Sequence, residues 1–310
     1  MSETIKERTR RLLEAVSEYK GAYEGAYNIR ENGMCAGRRS TEHIKINSLP
    51  DGKPGLRIDI SPETKGETVY IPACITHSDV EDLVYNDFYV AEGADVIIVA
   101  GCGVHSDGEE DAHHNGIHRF LIGKGAKVVY KEKHIGTGKG TGERNIDPVT
   151  EVEMAEDSYL EMDTMQISGV SHSKRSTKAR LAAGAKLIIR ERLLTDKDEK
   201  VSSDFDVSMD GDDSAVDLVS RSVAKGNSFQ EYHSVIRGNC RCTGHSECDG
   251  ILAGNGIVNA APELHAGNID ASLIHEAAIG KIAGEQIIKL CTLGLTEEEA
   301  EQKIIEGFLK

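Results

Sequence analysis

The stretch from Asn239 to Glu276 concentrates side chains that can bind soft metal ions or carry sulfur. Its ligand-type residues are Cys240, Cys242, His245, Cys248, His265, His275 and Glu276. Three thiols and three imidazoles are many for one short region of a chain with 7 cysteines and 12 histidines. A thiolate can bind iron or carry sulfur, whereas imidazole and carboxylate are exchangeable ligands that suit a cluster that must be released. These residue types predict an iron–sulfur or sulfur-handling site, which a β scaffold would present.

A packing role is the alternative for these cysteines, because free cysteine is among the most buried residue types. Cys240 and Cys242 are two residues apart on a predicted strand, so both side chains would point to one face. Cys248 lies between Glu247 and Asp249, which favours a ligand role for this thiol more than for the other two. The spacing could also hold zinc, although structural zinc sites more often have two to four residues between ligands.

A second group of chemically active side chains precedes the middle of the chain. Its histidines are His105, His113, His114 and His118, and four acidic residues lie between them. Imidazole and carboxylate together bind first-row metals, so a metal-dependent enzyme centred on a loop at residues 105–118 is one hypothesis. The adjacent histidine pair differs from the His-x-His arrangement of cupin enzymes. A solvated loop with incidental metal affinity is the competing interpretation.

The glycine-rich run from Gly136 to Gly142 resembles a phosphate-binding loop only in composition. That motif requires Ser or Thr directly after its lysine, with a strand before it and a helix after it. Here Gly140 follows Lys139, and the neighbouring sequence is rich in strand signals. We therefore predict a turn and expect no nucleotide to be bound by this chain.

The bulk composition narrows the classes of partner. A formal net charge of −16 and a pI near 5.2 argue against nucleic acid and anionic membrane surfaces, which need clustered lysine and arginine. The charged N-terminus does not resemble a signal peptide, and no apolar run approaches the ~20 residues that span a bilayer. An odd number of cysteines suggests reduced thiols rather than a disulfide framework. These features predict a cytoplasmic protein with protein or small-molecule partners.

Repeated turns indicate that most of the chain is a stacked β structure. Glycine is abundant at 32 residues, tryptophan is absent, and only 5 residues are phenylalanine. Apolar segments alternate with Gly-Ala or Asp-Ser turns at intervals of about 27 to 32 residues, a period typical of stacked repeats. The turn pairs are Gly93-Ala94, Gly125-Ala126, Asp157-Ser158, Gly184-Ala185 and Asp213-Ser214. This pattern predicts an all-β core that is a β-solenoid, either a parallel β-helix or a coiled sandwich of stacked rungs.

Helical patterns flank this core and divide the chain into three parts. Residues 1–40 read as a helix from about Glu3 to Tyr19 followed by a linker, residues 41–278 as the β core, and residues 279–310 as a helical segment. Thr296 and Glu299 form a predicted capping box. The apolar residues of the last segment that could dock a partner are Ile287, Ile288, Ile304, Ile305 and Phe308. Both helical ends could instead cover the bare strand edges of the solenoid.

The C-terminal third resembles the SufB/SufD family, the scaffold proteins of the SUF iron–sulfur cluster assembly system. The matching motifs are Ser220–Gly226, Cys248–Leu252, His275–Ala277, Gly284–Gln286, Glu297–Ala300 and Glu306–Phe308. They occur in the right order over about 90 residues, which is more specific than any single motif. The short N-terminal region suggests a compact member of the family.

The resemblance implies a right-handed parallel β-helix whose C-terminal helices dock SufC, an ABC-type ATPase. It also implies a dimer, formed with a second copy or with a SufB/SufD-type partner, in which sulfur from a cysteine desulfurase meets iron. Cys248 resembles the family's cluster-assembly cysteine, and His275 and Glu276 resemble its His-Glu ligand pair. Ile274 departs from the pattern, since SufB-type sequences often carry another glutamate there. The chain would then be a scaffold that holds clusters transiently and not an enzyme.

Two further functions compete with this interpretation. A β-helical hydrolase or lyase acting on sugars would need an aromatic-lined groove, which a chain without tryptophan supports poorly. A structural, SufD-like subunit would stabilise the complex without binding a cluster, and the presence of Cys248 favours the SufB-like role.

Overall fold

The computed structural model describes residues 5–310, and its core is a β-solenoid of about eight turns. The helices are α1 (Ile5–Ser17), α2 (Gly284–Cys291) and α3 (Glu297–Phe308). The strands are β1 (Ala26–Glu31), β2 (Met34–Arg39), β3 (Ile44–Ser48), β4 (Gly55–Ile60), β5 (Lys65–Ile75), β6 (Val80–Val90), β7 (Asp95–His105), β8 (Ala112–Ile122), β9 (Lys127–Thr137), β10 (Arg144–Ile146), β11 (Val149–Met154), β12 (Tyr159–Ile167), β13 (His172–Leu181), β14 (Lys186–Thr195), β15 (Lys200–Met209), β16 (Ala215–Ala224), β17 (Phe229–Gly238), β18 (Thr243–Leu252), β19 (Ile257–Ala266) and β20 (Ser272–Lys281).

The strands alternate between two sheets, as expected for a parallel β-helix. The first sheet has the order β2-β1-β5-β7-β9-β12-β14-β16-β18-β20, and the second runs β19-β17-β15-β13-β10-β8-β6-β4-β3, with β11 beside β8 and β13. Successive strands of each sheet pair in parallel, apart from the antiparallel pairs β1–β2 and β3–β4 near the N-terminus. The prediction of a β-solenoid is confirmed.

The repeated turns place one small residue at each corner of the coil. In one of them Gly125 has φ +60°, and in the next Asp157 has φ +55°. Glycine and aspartate tolerate this left-handed conformation better than most residues do. The residues that follow, Ala126 and Ser158, are each 1% exposed and close the turn through a backbone N–H. A larger side chain would not fit there, which explains the Gly-Ala and Asp-Ser repeat.

Apolar side chains fill the space between the two sheets. Inward residues of neighbouring strands stack in register, as Phe88 on β6 does on Phe120 of β8, with ring centroids 4.7 Å apart. Tyr130 of the opposite sheet meets Phe120 edge to face. Burying large aromatic and aliphatic side chains stabilises each rung by about 1.5–3 kcal/mol per side chain.

The N-terminal region differs from the predicted helix and linker in two ways. Helix α1 is confirmed over its described part, while Glu3 and Thr4 lie outside the described residues. The linker prediction is wrong from Ala26 onward, because β1 and β2 form a hairpin that joins the first sheet. Tyr23 is also buried, 5% exposed, and stacks on Tyr70 at 4.4 Å. Aromatic packing, invisible in the local glycine pattern, orders this segment.

Helix α1 covers a face of the first sheet and not its end. Leu12 and Leu13 pack with the buried Cys74 on the outward side of β5. Gly103 permits the approach, since a Cβ there would lie 2.9 Å from Leu12 Cδ2. The expectation that this helix caps an open end is therefore wrong.

The C-terminal end of the β-helix is an open edge. Strands β19 and β20 each pair on one side only within the described chain, and Ile257 and Ile274 are about half exposed. The capping box is confirmed: the Thr296 hydroxyl accepts from Glu299 N–H, and the Glu299 carboxylate accepts from Thr296 N–H. Helix α3 is tied to the end of β16 through the ion pair Lys225–Glu301, so β19 and β20 remain exposed.

Candidate functional site

Strands β18 and β20 carry most of the predicted site residues, and their pairing decides which side chains meet. In the register of these strands Cys248 lies beside Ala277, Ser246 beside His275, and Glu247 beside Glu276. Successive residues of a strand point to opposite faces. Cys248 and His275 therefore face the interior of the β-helix, whereas Glu276 faces outward.

The thiol of Cys248 is buried inside the last complete rung. The side chain is 1% exposed and lies next to Ser220 of β16. Burial raises the pKa of Cys248 to about 12, and the carboxylates of Glu191 and Asp249 add to this effect. A free thiol in this state is a poor nucleophile and a poor ligand.

His275 occupies the same interior face at the open edge. Its Nδ1 atom is buried and has no hydrogen-bond partner among residues 5–310. A buried polar atom without a partner is costly, and such atoms call for an explanation. Because β20 is the last strand of its sheet in the described chain, this buried nitrogen lies beside an open edge.

The outer face of the same strands brings together a different set of ligands. One ring nitrogen of His245 and one carboxylate oxygen each of Glu247 and Glu276 lie within 4.8 Å of one another. This is the one group of three metal-ligand residues that converges so closely among the described residues. The sequence predicts His245 and Glu276 as possible ligands, whereas Glu247 is found only in the structure.

Asp217, on β16, orients the His245 ring from the other side. His245 Nδ1 lies 2.8 Å from Asp217 Oδ1, and Arg190 Nη2 lies 2.6 Å from Asp217 Oδ2. Partial burial opposes ionisation of Asp217, but the hydrogen bonds from His245 and Arg190 outweigh it and lower the pKa of Asp217. An ionised carboxylate only accepts hydrogen bonds, so His245 donates its Nδ1–H to Asp217, and Nε2 is the ring nitrogen left for a ligand.

Cys240 and Cys242 lie in the turn between β17 and β18, so their assignment to a strand is wrong. Both are buried, 7% and 3% exposed, and Cys240 Sγ lies 3.0 Å from the carbonyl oxygen of Gly211. Burial, followed by the neighbouring Cys240 thiol, raises the pKa of Cys242 to about 11. The two thiols form a pair at the corner of the coil, separate from Cys248 on the strand that follows.

His265 belongs to the other sheet. It lies on β19, is exposed, and its Nε2 is 3.3 Å from Glu263 Oε2. Glu263 also accepts a hydrogen bond from His233 of β17 at 3.2 Å. The structure therefore does not bring His265 to the ligands of β18 and β20.

The histidines of residues 105–118 do not share a loop. His105 ends β7 and the other three lie on β8, where the burial pattern alternates, so the loop prediction is wrong. His113 bridges Glu81 and Asp147 on the outer surface, whereas His114 and His118 are buried. The four imidazoles are not among the ligand groups that converge within 4.8 Å in the described chain.

The structure adds a buried ionic network that the sequence interpretation missed. Arg175 Nη1 lies 2.6 Å from Glu132 Oε2, and its Nε lies 3.5 Å from Glu191 Oε1. Ser203 and Ser220 each donate to Glu191 at 2.7 Å. The network thus runs inside the β-helix up to the neighbour of Cys248. The sequence carries a signal for this network, because charged residues occupy positions that the alternation of inward and outward residues assigns to the interior.

The apolar residues of the C-terminal helices divide into two classes. Ile305 is 2% exposed, whereas Ile288 is 64% exposed and Leu293, in the connecting turn, is 75% exposed. Ile287, Ile304 and Phe308 are half-buried. The exposed residues are available to a partner, and the buried Ile305 is not. None of the described helices is long and apolar enough to cross a membrane.

Comparisons with known proteins point to one family. The model for the SUF system FeS cluster assembly, SufBD core domain, matches residues 84–308. An iron–sulfur cluster assembly SufBD family protein of Methanothermobacter thermautotrophicus is 28% identical over 83% of this chain and 60% of its own length. Proteins of the same description from Archaeoglobus fulgidus and Methanocaldococcus jannaschii are 29% and 26% identical, over 83% and 84% of this chain and 66% and 82% of their own lengths.

The chain spans about 60% of the Methanothermobacter relative, and the family model covers well over half of the chain. The region matched includes both faces of β18 and β20 and the C-terminal helices. The resemblance read from the motifs of the C-terminal third is confirmed, and the protein belongs to the SufBD family, a component of the iron–sulfur cluster assembly system.

Proposed function

We propose that the chain is a scaffold on which iron–sulfur clusters are assembled and from which they are transferred. The observation that carries this proposal is the open edge of the β-helix, where thiol, imidazole and carboxylate side chains lie on the last two strands of one sheet. These are the ligand types for a cluster that is held and then released. Cys248, His275 and Glu276 are the proposed cluster and sulfur-binding residues.

The open edge favours a cluster site that is shared between two subunits over a site formed by one chain. Cys248 and His275 face inward and Glu276 faces outward, so a single chain does not surround a cluster with all three. An edge strand readily pairs with another chain. A second subunit, identical or of SufB/SufD type, would add ligands at β19 and β20 and supply a partner for His275 Nδ1.

The buried state of Cys248 implies a step that exposes it. A thiol with a pKa near 12 does not ionise at neutral pH, but coordination to a metal ion removes the proton from a thiol. Iron or sulfur must therefore reach the interior of the last rung through an opening of the edge. An ABC-type ATPase of the SufC kind, docked on α2 and α3, would supply that conformational input.

The other components follow from this role. Sulfur would come from a cysteine desulfurase system, and nucleotide would be hydrolysed by the ATPase and not by this chain. All seven cysteines are free thiols in the described chain, in keeping with work in the cytoplasm. A structural, SufD-like role is the second candidate, since it would leave Cys248 buried throughout.

Anaerobic reconstitution with ferrous iron and sulfide tests the proposal. The wild-type protein, purified with its partner ATPase where one co-purifies, should gain visible sulfur-to-iron charge-transfer absorption. Cys248→Ser should lose most of it, whereas Cys35→Ser, an exposed thiol on β2, should not. Unchanged cluster content in Cys248→Ser would remove Cys248 from the site, and absence of a cluster from the wild type would favour the structural role.

A further inference from the structure

The outer face of β18 and β20 holds a set of ligands that the interior thiol does not share. We propose that His245, Glu247 and Glu276 form a binding site for one divalent first-row cation, of the ferrous iron or manganese class. Its use as an iron-loading site rests on the proposed function, whereas the binding of a cation does not. The site shares Glu276 with the proposed cluster ligands but not Cys248, which lies on the opposite face of the same sheet.

The pairing of β18 with β20 brings the carboxylates of Glu247 and Glu276 close together. Glu247 and Glu276 are direct neighbours in adjacent parallel strands, and His245 precedes Glu247 by two residues on the same face. The three ligand atoms lie within 4.8 Å of one another. Glu276 is exposed and free to rotate, so it can move inward to the ~2.1 Å metal–oxygen distance that a small divalent cation requires.

The two carboxylates are only partly compensated by positive charge. Arg221 Nη2 lies 3.9 Å from Glu247 Oε1, whereas Glu276 has no ion-pair partner among the described residues. Like charges placed side by side on neighbouring strands destabilise a sheet. A bound divalent cation would offset this repulsion, in a chain that already carries a net charge of −16.

A carboxylate orients His245, as is usual for a histidine that binds a metal. The Nδ1–H of His245 donates to Asp217, which also accepts a hydrogen bond from Arg190, so Nε2 is the ring nitrogen left for a cation. Such a carboxylate behind a histidine fixes the tautomer and strengthens the ligand. Asp217 is thus a positioning residue for the site, one strand away from the cation.

The donor set selects the class of cation. One imidazole with two carboxylates suits ferrous iron, manganese or zinc, whereas calcium and magnesium prefer oxygen ligands alone. Thiolates, which select copper(I) and clusters, are absent from this face among the described residues. Three protein ligands leave positions open to water, so the cation would exchange readily.

Titration of the metal-free, full-length chain with Mn²⁺, followed by the electron paramagnetic resonance signal of free Mn²⁺, tests the site. We expect one bound ion per chain in the wild type, and its loss in Glu247→Gln and in Glu276→Gln. Asp217→Asn should weaken binding by about 10- to 100-fold without removing a ligand. Glu263→Gln is the matched control, an exposed glutamate that contacts two histidines on the other sheet.

Cys248→Ser separates this site from the cluster. It should bind Mn²⁺ as the wild type does, even where it no longer gains cluster absorption. Absence of bound Mn²⁺ in the wild type, or equal binding by the wild type and both glutamate variants, would overturn the proposal. Loss of Mn²⁺ in Cys248→Ser would overturn the separation of the two faces.

Discussion

Cys248 and Glu276 lie on neighbouring strands, but their side chains project from opposite faces of the sheet. The neighbour of Cys248 across the strand pair is Ala277, one residue beyond Glu276. A step of one residue along a strand reverses the side-chain direction. Thiol chemistry inside the β-helix and carboxylate chemistry outside it can therefore be altered separately.

The first prediction concerns the accessibility of the thiols. Iodoacetamide should modify Cys35 much faster than Cys248 in the native protein, because Cys35 is exposed and Cys248 is buried with a pKa raised to about 12. Mass spectrometry of peptides after timed alkylation measures both rates, and alkylation in urea should make them similar. Equal rates without urea would show that the last rung opens spontaneously.

The second prediction concerns the buried ionic network. Arg175→Met should lower the free energy of unfolding by about 3–5 kcal/mol, because it leaves the buried carboxylates of Glu132 and Glu191 without their cation. Urea denaturation measures this change. Arg241→Met, which breaks an exposed pair with Asp213, should leave the urea midpoint unchanged. A similar midpoint shift in both variants would contradict the assigned role of Arg175.

The third prediction concerns acid stability. Burial lowers the pKa of His118 to about 4, against an ordinary value of 6.5, although Glu132 opposes the effect. The unfolded chain therefore takes up a proton below pH 6.5 that the folded protein does not accept until about pH 4. Stability should fall as the pH is lowered through this window, by about 3 kcal/mol from His118 alone.

His118→Gln removes this titration and tests it. The variant loses a hydrogen bond to Tyr130 at every pH, so the informative quantity is the slope of unfolding free energy between pH 6.5 and pH 4, which should become shallower. An unchanged slope in His118→Gln would assign acid sensitivity to other groups.

The fourth prediction concerns the C-terminal helices. Ile288→Asp should leave the protein folded and abolish co-purification with an ABC-type ATPase, because Ile288 is 64% exposed. Ile305→Asp should instead disrupt folding of the C-terminal helical segment, because it places a charge at a side chain that is 2% exposed. Circular dichroism together with the mass of the purified complex separates the two effects. Retained co-purification with Ile288→Asp would move the docking surface elsewhere.

Local signals in the sequence were sufficient to predict the β-solenoid and the helix that begins after Thr296. The turns at Gly125-Ala126 and Asp157-Ser158 depend on the left-handed conformation of one residue and the small size of the next, and both properties are intrinsic to the residue types. The same is true of the capping box at Thr296. The linker prediction failed because β1 pairs with β5 and Tyr23 stacks on Tyr70, and both partners lie far along the chain.

Strand β8 was not predicted because several of its inward positions are polar. His114 and His118 alternate with outward residues as a strand requires, yet histidines beside acidic residues read as a loop. Their burial is possible because Asp82 accepts a hydrogen bond from His114 and Tyr130 meets His118. Those partners come from other strands, so the pattern within β8 could not reveal them.

By itself, the sequence determined the repeating coil, the flanking helices and the ligand types near the C-terminus, because these depend on residue properties and local spacing. The tertiary structure alone decided which ligands meet. The length of each rung sets the register between β18 and β20, and that register places Glu247 beside Glu276 while turning Cys248 to the interior. Side-chain direction alternates along a strand, but the neighbour across the sheet is chosen by the winding of the whole coil.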